Sequence, residues 1–493
     1  MENGCSNLIF LGVLKKENDM PKQTLVMKFG GTSVGSVEAL VKATQIIKDA
    51  RDKYSRLVVV TSAMSGVTDL LLRSASGAAE GNVDSLPETE ATLKEKHFSA
   101  VDALIKDEKL CLETKAEINT HIISLVDLCK AIAVLGEASP RALDAVASLG
   151  ERMNVRLLAA VAKDAGIKVR AIESTEFILT NAHFQNAHPD FKITTEKTRE
   201  LLNPLMDEGI IPITTGFIGA TMEGVITTLG RGGSDYTAAI IGSVLPADEV
   251  WIWTDVDGVM TTDPRIAPGA QTLPEISYSE IAELAYYGAK VLHPKTIRPV
   301  VEAGIGLRIC NTFNPSHPGT RLIANSKSNG KPVNGQIIKA VTAIRKQRLV
   351  TIEGRGMLGV PGVAARAFGA VASTGTSVPL ITQASSEQSI CFAVPSETAP
   401  SVLDALEEAF VHEIEDEDID RVWSTGDVSI VTVVGAGMRH TIGIAGSVFS
   451  QLGNNGVNVL AIAQGSSEVS ISLVVDTLDT EKAVRALHQL IVN

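Results

Sequence analysis

The stretch TLVMKFGGTSVG, residues 24–35, decides the expected fold. Its first half is mostly apolar and β-branched, which is typical of a strand buried on both faces of a parallel sheet. The adjacent glycines let the backbone turn tightly and bring N–H groups close to an anion, and a helix beginning near Ser36 would add its dipole. Lys28 would supply positive charge for a phosphate. A glycine-rich turn with a lysine is ordinary as composition, and the Walker A spacing is absent, so the stretch predicts an α/β fold with a possible anion-binding turn.

The same alternation of short apolar runs and longer helical patterns continues to about residue 310. Residues 88–136 are rich in Glu, Lys, Ala and Leu and predict a helical insertion. The runs that predict further strands are RLVVVTS (56–62), IKVRAI (167–172), IIPITTGF (210–217), VITTL (225–229) and EVWIWTD (249–255). We therefore predict an α/β domain over residues 20–324, with a mainly parallel central sheet sandwiched by helices.

An internal repeat follows a polar segment, NSKSNGKPVNG (325–335), which we interpret as a linker. The sequence VTIEGRGMLGVPGVAARAF from Val350 aligns with VTVVGAGMRHTIGIAGSVF from Val431, and the alignment continues without a gap through QASSEQSI (383–390) and QGSSEVSI (464–471). Two copies of a ferredoxin-like βαββαβ unit are therefore predicted. We assign residues 345–425 to the first unit and residues 336–344 plus 426–493 to the second.

Composition narrows the classes of function. A net charge of −13 and a pI near 5.3 leave no basic surplus to neutralise phosphates, so neither a nucleic acid nor an anionic membrane is expected as a partner. Five cysteines without CxxC spacing suggest neither a zinc site nor a disulfide framework, and no apolar run is expected to span a membrane. We expect a cytoplasmic protein. Residues 1–19 are expected either to be a disordered leader or not to be present in the native protein.

A series of motifs carries a more specific signal than any one of them. The motifs occur in the order KFGGTSVG (28–35), VVVTSAMSGVTD (58–69), SLGERMN (148–154), TTGFIGA (214–220), TTLGRGGSDYTAA (227–239), WTDVDGVMTTDPR (253–265) and GAKVLHP (288–294). This series resembles the aspartokinases of the amino acid kinase family, and the repeat resembles their two ACT domains. The resemblance implies conversion of ATP and L-aspartate to ADP and 4-phospho-L-aspartate, the first step towards lysine, threonine and methionine.

The resemblance also implies roles for individual residues. Lys28 would contact the transferred phosphate, and Asp235 would organise the centre. The residues expected around aspartate are Ser62, Thr68, Glu151, Phe217, Arg231 and Ser234. Those expected around ATP, with Mg²⁺, are Lys28, Gly30, Gly31, Thr32, Ser33, Thr254, Asp255, Arg265 and Lys290; no metal site formed by protein side chains alone is expected. Met260 departs from the family pattern, which often has Tyr there, although a thioether can pack against a base.

Physical chemistry agrees with these roles but leaves plainer alternatives. A carboxylate nucleophile with a pKa of about 3.9 is ionised at neutral pH, so the reaction needs positioning and charge neutralisation and no general base. Arg231 could bind a carboxylate and Glu151 an ammonium. Alternatively, Glu151 could lie at the start of a helix, where the helix dipole favours an acidic side chain. Asp235 could be an N-cap, and Lys290 could be an exposed charge on a helix.

The repeat units suggest regulation. Gln383 and Gln464 occupy equivalent positions in the two copies, and we predict that they bind an amino acid effector; alternatively they satisfy hydrogen bonds at strand edges. Their surroundings resemble the aspartokinase portion of bifunctional aspartokinase-homoserine dehydrogenases, which favours threonine over lysine. Exposed strand edges predict a homodimer or higher homo-oligomer. The alternatives to a regulated aspartokinase are another amino acid kinase and an amino-acid-sensing regulator with an inactive kinase domain.

Overall fold

The computed structural model describes residues 23–289, 292, 294–323, 337–357, 360–383, 388–465 and 469–492. The predicted leader (1–19), the predicted linker (325–335) and Lys290 lie outside the described residues. In the N-terminal domain the elements are β1 Thr24–Phe29, α1 Val37–Arg51, β2 Arg56–Thr61, α2 Val67–Ala79, α3 Leu86–Leu104, α4 Glu108–Leu135, α5 Pro140–Asp164, β3 Val169–Ile172, α6 Phe191–Asp207, β4 Ile211–Thr215, β5 Ile218–Ala220, β6 Ile226–Thr228, α7 Gly233–Val244, β7 Glu249–Thr254, β8 Glu275–Ser277, α8 Tyr278–Tyr286, α9 Pro294–Ala303, β9 Gly306–Asn311 and β10 Thr320–Ile323.

The central sheet confirms the predicted fold class. Within the described residues it has eight strands in the order β3-β4-β2-β1-β7-β9-β10-β8, all parallel to their neighbours except at the β10–β9 pair. Every residue of β1 is buried, and its side chains alternate between two cores: Met27 packs with α1 and α5, and Val26 packs with α7. Ser36 is the N-cap of α1, because its hydroxyl accepts a hydrogen bond from the N–H of Ala39 at 3.2 Å.

Two details differ from the sequence-based expectation. The run VITTL forms β6, which pairs with β5 in a separate two-stranded hairpin rather than in the central sheet of the described residues. The expectation that no segment could span a membrane is wrong by length and composition for α4, which contains an 18-residue window of mean hydropathy 1.6. Ile118, Ile122 and Leu125 of α4 are nevertheless buried in the domain core, as in the core helix of a globular domain.

The C-terminal region consists of the two predicted repeat units. Its elements are β11 Ala340–Glu353, α10 Val363–Ser373, β12 Leu380–Gln383, β13 Ser389–Pro395, α11 Ala399–Ala409, α12 Val411–Glu415, β14 Arg421–Ser424, β15 Val428–Val434, α13 Ile444–Asn454, β16 Ala461–Ala463, β17 Ser470–Asp476 and α14 Thr480–Val492. In the first unit the strand order is β12-β13-β11-β14, and in the second it is β16-β17-β15-β11. The ferredoxin-like fold is thus confirmed.

The long strand β11 belongs to both units. Residues from Ala340 to Ile344 pair with β15, and residues from Gln347 to Glu353 pair with β13. A register shift between Ile344 and Gln347 separates the two halves. This pairing is the one expected if residues 336–344 complete the second unit, while the domain boundaries themselves stay predictions.

A buried carboxylate joins the second unit to the N-terminal domain. Glu280 lies in the first turn of α8 and is fully buried. One of its oxygens, Oε2, is 2.8 Å from the ammonium of Lys339, and the other, Oε1, accepts the N–H of Ala436 at 2.8 Å. Burial raises the pKa of Glu280, but Lys339 and the N–H of Ala436 outweigh it and leave that pKa below its ordinary value. The junction therefore contains a desolvated, fully bonded charge pair.

We expect Glu280→Gln to lower the free energy of unfolding by about 3–5 kcal/mol, because it leaves the Lys339 charge buried without its partner. Urea denaturation of the variant and the wild type measures the difference. Glu302→Gln is the control: it removes an exposed pair with Arg298 on α9, which should cost at most about 0.5 kcal/mol. Coincident transitions for Glu280→Gln and the wild type would contradict the expectation.

Candidate active site

Lys28 and Asp235 form an ion pair at the carboxyl end of the central sheet. Lys28 is the fifth residue of β1, and Asp235 lies in the first turn of α7. The Lys28 Nζ atom is 2.6 Å from Oδ1 of Asp235, and both side chains are largely buried, at 11% and 16% exposed. Asp235 is not the N-cap, since α7 begins at Gly233 with Gly232 as its cap. Its carboxylate instead fixes the position of the Lys28 ammonium.

A cavity of about 400 Å³ opens beside this ion pair. It brings together most of the residues expected around the amino acid. Its lining comprises Lys28, Thr68, Leu72, Leu143, Asp144, Ala147, Glu151, Gln185, Phe217, Thr228, Gly230, Arg231, Gly232, Gly233, Ser234 and Asp235. Ser62 is the one residue predicted to surround the amino acid that this lining does not include. It follows β2, where its N–H donates to the carbonyl of Phe29 and its carbonyl accepts from Asn154.

Glu151 has an unusual environment for a carboxylate. It lies inside α5, more than two turns from the N-terminus at Pro140, so the helix-dipole alternative is wrong. The side chain is 3% exposed; Oε1 accepts the N–H of Ala63 at 3.3 Å, and Oε2 has no hydrogen-bond partner among the described residues. Burial is the main cause that raises the pKa of Glu151 to about 8. A cationic group in the cavity would supply the missing partner and restore the ionised form.

Phe217 and Ser234 are held where the turn after β4 crosses the start of α7. A Cβ on Gly216 would lie 2.6 Å from the Cβ of Ser234, and one on Gly233 would lie 2.6 Å from the Phe217 ring, so the crossing requires glycines. Phe217 has a left-handed backbone, with φ of 68°, and its N–H donates to the hydroxyl of Thr237 at 3.0 Å. This strained conformation places the Phe217 ring in the cavity lining.

Arg231 is the most exposed cation of the cavity. It lies between Gly230 and Gly232 in the turn from β6 to α7. Among the described residues no carboxylate lies within ion-pair distance of its guanidinium. Its fork geometry is therefore available to an incoming carboxylate.

The predicted nucleotide residues lie around the ends of β1 and β7. The N–H of Gly30 donates to the carbonyl of Trp253 at 3.0 Å, which joins the glycine turn to β7. Ser33 is fully buried; its hydroxyl donates to the Trp253 carbonyl and accepts from Thr312, so its side chain links the turn to β9 rather than facing a ligand. Thr32 is exposed and Gly31 half-buried in this turn.

The loop after β7 carries the other expected nucleotide contacts. The hydroxyl of Thr254 donates to Asp255, and Arg265 pairs with Asp263 at 2.7 Å while its side chain is 82% exposed. Met260, the residue that departs from the family pattern, accepts a hydrogen bond at its sulfur from the hydroxyl of Thr272 at 3.4 Å. These residues lie apart from the cavity, as a nucleotide subsite separate from the amino acid subsite would require.

Two of the described side chains that shape this region were missed by the sequence analysis. Asp257 accepts hydrogen bonds from Asn311 at 2.8 Å and Asn314 at 3.1 Å, which fixes the turn of WTDVDGVM. Asp144 lines the cavity two helical turns before Glu151. The spacing of seven residues on one helix could have indicated Asp144, because such residues lie on the same face.

No group of three or more His, Cys, Asp or Glu side chains in the described residues could hold a metal ion. A magnesium ion would therefore have to take most of its ligands from phosphate and water, with one or two carboxylates, as is usual for nucleotide-bound Mg²⁺. The single carboxylates of Asp235 and Asp255 fit that donor set.

The two predicted effector residues are both exposed. Gln383 ends β12, and Gln464 directly follows β16. Within the described residues these two strands lie at the two ends of one seven-stranded sheet, and they contact each other through a small apolar cluster that includes Leu380 and Ala461.

Comparisons with known proteins identify both regions. The model of the amino acid kinase family matches residues 23–311, and the ACT domain model matches residues 350–410 and 431–490. Bifunctional aspartokinase/homoserine dehydrogenase 1, chloroplastic, of Zea mays is 37% identical over 473 residues, which cover 95% of this chain and 51% of the relative. Aspartokinase 3, chloroplastic, of Arabidopsis thaliana is 36% identical over 477 residues, covering 95% and 81%. The chain spans about half the length of the bifunctional relatives that it matches.

A solved structure agrees over nearly the whole chain. Aspartokinase III of E. coli in complex with aspartate and ADP, in the R-state, superposes with a TM-score of 0.79 at 30% identity, covering 96% of this chain and all of the other. The same E. coli protein in complex with lysine and aspartate, in the T-state, gives a TM-score of 0.75 at 31% identity.

Glu151→Gln tests the buried, unpaired carboxylate without reference to any ligand. Because the folded state raises the pKa of Glu151 from 4.5 to about 8, it holds this proton more tightly than the unfolded state does. The wild type should therefore lose stability relative to Glu151→Gln as the pH rises from 4.5 to 8, by at most about 1.4 kcal/mol per pH unit. Denaturation at pH 5, 6.5 and 8 measures the difference, with the exposed Glu137→Gln as control. A difference that is constant with pH would contradict the assigned environment.

Proposed function

Because the chain belongs to the amino acid kinase family and, within it, to the aspartokinases, we propose that it is an aspartate kinase that transfers the γ-phosphoryl group of ATP to the side-chain carboxylate of L-aspartate. The observation that supports this most directly is the composition of one cavity. A buried carboxylate with one unpartnered oxygen, a guanidinium without an ion pair to the described residues and a lysine held by an aspartate all line it. An amino acid with a second, acidic group complements this set.

The head group of the substrate would be bound from two sides. The ammonium would meet Oε2 of Glu151, and the α-carboxylate would meet the guanidinium of Arg231. The ammonium would be neutralised beside the buried Glu151, where such an interaction is stronger than in bulk solvent. Phe217, Thr68 and Ser234 would close the cavity around the side chain. The side-chain carboxylate would then point towards Lys28.

Phosphoryl transfer would depend on position rather than on proton removal. The attacking carboxylate is already ionised at neutral pH, so Asp235 is not required as a base. Asp235 instead holds the Lys28 ammonium at the end of β1, where it can neutralise the transferred phosphoryl group. The glycine turn at residues 30–31 would accommodate the phosphates, and the loop carrying Thr254, Asp255 and Arg265 would hold the rest of the nucleotide. Magnesium, when bound with ATP, would neutralise further phosphate charge.

The C-terminal units are proposed to sense an end product of the pathway leading to lysine, threonine and methionine. The exposed Gln383 and Gln464 support an effector site on ACT units, and the E. coli relative was solved with lysine. Threonine is the effector we favour for this chain, because of the similarity of its 383–395 segment to bifunctional aspartokinases. Ile381, Leu460 and Ile462 are about half exposed on or beside the outer strands, which supports a homodimer through these edges. The proposed location is the cytoplasm.

The reaction itself is tested by trapping the acyl phosphate as its hydroxamate. We expect product with L-aspartate, ATP and Mg²⁺, and none with L-glutamate. Product with glutamate alone would support the alternative of another amino acid kinase. Absence of product with any amino acid would support a sensing protein with an inactive kinase domain.

Lys28→Ala should reduce turnover by about a thousandfold or more, because it removes the cation held for phosphoryl transfer. Hydroxamate formation measures turnover, and circular dichroism checks that the variant is folded. Lys339→Met removes a lysine from the domain junction instead of the cavity and serves as a comparison for loss of a buried ammonium. Near-normal turnover of Lys28→Ala would refute the phosphate role.

Gln383→Ala and Gln464→Ala should each weaken inhibition by the effector while leaving uninhibited turnover within about twofold, since both lie far from the cavity in the chain and in the fold. Turnover is measured against increasing threonine and, separately, lysine. Gln388→Ala, just before β13, is a matched control outside the equivalent positions. If both variants keep the wild-type inhibition curve, the proposed effector site is wrong.

A further inference from the structure

Asp144 is a buried carboxylate whose function the predicted site residues do not explain. It lies in α5, seven residues before Glu151, and its side chain is 1% exposed. Seven residues are nearly two helical turns, so Asp144 and Glu151 lie on the same face and line the same cavity. Among the described residues no lysine or arginine forms an ion pair with Asp144. Dipoles alone compensate its charge.

The hydrogen bonds of Asp144 come from two separate walls of the cavity. The N–H of Gln185 donates to Oδ1 at 3.1 Å and to Oδ2 at 3.0 Å. The N–H of Thr228, the last residue of β6, donates to Oδ2 at 2.8 Å, and its hydroxyl donates to Oδ1 at 2.7 Å. Both oxygens of Asp144 thus accept from both walls, and an amide in its place would turn an NH₂ group towards at least one of these donors.

The Gln185 wall is strained and depends on this anchor. Gln185 has a left-handed backbone, with φ of 67°, which a non-glycine residue adopts only when its surroundings impose it. Ala187, two residues after Gln185, donates its N–H to the carbonyl of Thr228 at 2.9 Å, so the segment also runs along β6. Asp144 is the charged group that holds the Gln185 end of this segment in place.

The position of Arg231 follows from these two walls. Arg231 comes three residues after Thr228, and Gly230 between them packs so closely that an added Cβ would lie 3.0 Å from the carbonyl oxygen of Gln185. The side chain of Arg231 itself has no carboxylate anchor among the described residues. Its backbone is thus located by the contacts of Gly230 and Thr228, and through Thr228 by Asp144. Since Glu151 lies on the same helix as Asp144, this carboxylate ties the Arg231 turn to the helix that carries Glu151.

We propose that Asp144 is a positioning residue for substrate recognition, which holds the Arg231 turn and the Gln185 wall at the distance from Glu151 that an α-amino acid head group requires. This inference rests on the proposed function. It assigns to Asp144 no contact with the reacting atoms. A purely structural role would affect the amount of folded protein, whereas a positioning role affects the binding of the amino acid and spares that of the nucleotide.

The test is steady-state kinetics of Asp144→Asn with each substrate varied in turn. We expect KM for aspartate to rise about tenfold or more, because a misplaced binding group loses its hydrogen-bond geometry, while KM for ATP stays within about twofold. Asp190→Asn is the control: Asp190 comes five residues after Gln185, caps α6 by accepting from the N–H groups of Lys192 and Ile193, and does not line the cavity. Its KM values should be those of the wild type.

A second substitution separates positioning from general damage. Glycine adopts a positive φ without strain, so adding Gln185→Gly to Asp144→Asn should reverse at least a third of the rise in KM for aspartate that Asp144→Asn causes. The single variant Gln185→Gly is the reference for the double variant. Should Asp144→Asn not fold, Thr228→Val keeps the carboxylate and removes only the hydroxyl donor, and it should raise KM for aspartate about threefold. For each variant, the quantity compared is the ratio of KM for aspartate to KM for ATP.

The outcomes distinguish this inference from the proposed function. Aspartate-dependent activity in the wild type, with equal KM values in wild type and Asp144→Asn, would overturn the positioning role and leave the aspartate kinase intact. A parallel rise of both KM values would also overturn it. No activity in the wild type would refute the proposed function first. A selective rise in KM for aspartate in Asp144→Asn, or in Thr228→Val where that variant is used, with rescue by Gln185→Gly, supports the inference.

Discussion

The active site depends on the contact between the Lys28 ammonium and the Asp235 carboxylate. This contact links the central strand of the sheet to the first turn of α7 across a gap of more than 200 residues in the sequence. A desolvated pair of this kind adds little to stability, because the cost of removing both charges from water offsets most of their attraction. The pair matters because it fixes the position of the Lys28 ammonium. The glycines at 216 and 233 allow α7 to approach the sheet closely enough for the pair to form.

Contacts between residues that are distant in the sequence also connect the two domains. The second ACT unit does not merely follow the kinase domain: Ala340 and Val434 belong to the same core as α7, and Thr261 in the loop after β7 bonds to His488 of α14 at 2.9 Å and accepts the N–H of Val341. The first unit has a core of its own and meets the second across the β12–β16 contact. In the proposed regulation, an effector bound to the ACT units would act on the loop after β7 by binding two arrangements of these contacts with different affinity.

Sequence patterns predicted those features that depend on neighbours in the chain. The apolar run of β1, the helix start near Ser36 and the repeat from Val350 and Val431 all depend on local spacing, and each has the expected structure. Features that depend on distant partners were missed or misjudged. A local signal was overlooked as well: the alternative that placed Glu151 at a helix start is wrong because α5 begins at Pro140, directly after the N-cap Ser139. Asp235 suggested an N-cap because such caps are usually polar, but here Gly232 fills that position.

Asp144 shows the same limit more clearly. Its partners Gln185 and Thr228 lie 41 and 84 residues away, so its role is visible only once the cavity is assembled. The family resemblance indicated only residues that lie within the shared motifs, and Asp144 lies outside those motifs. Long-range hydrogen bonds to backbone N–H groups leave no pattern in the donor's sequence, since any residue can supply them.

Two strained backbones and one unpartnered carboxylate oxygen meet at the same cavity, which supports the proposed function. Gln185 and Phe217 both have left-handed backbones, and Glu151 is a buried carboxylate with an unpartnered oxygen. Each feature costs stability in the free protein. If a lysine of the chain filled the gap beside Glu151, the fold would be more stable, but the place proposed for the substrate ammonium would then be occupied. In the proposed function, the unpartnered oxygen of Glu151 and the guanidinium of Arg231 would gain their partners only when the amino acid binds, which is why the free protein leaves them without an ion pair among the described residues.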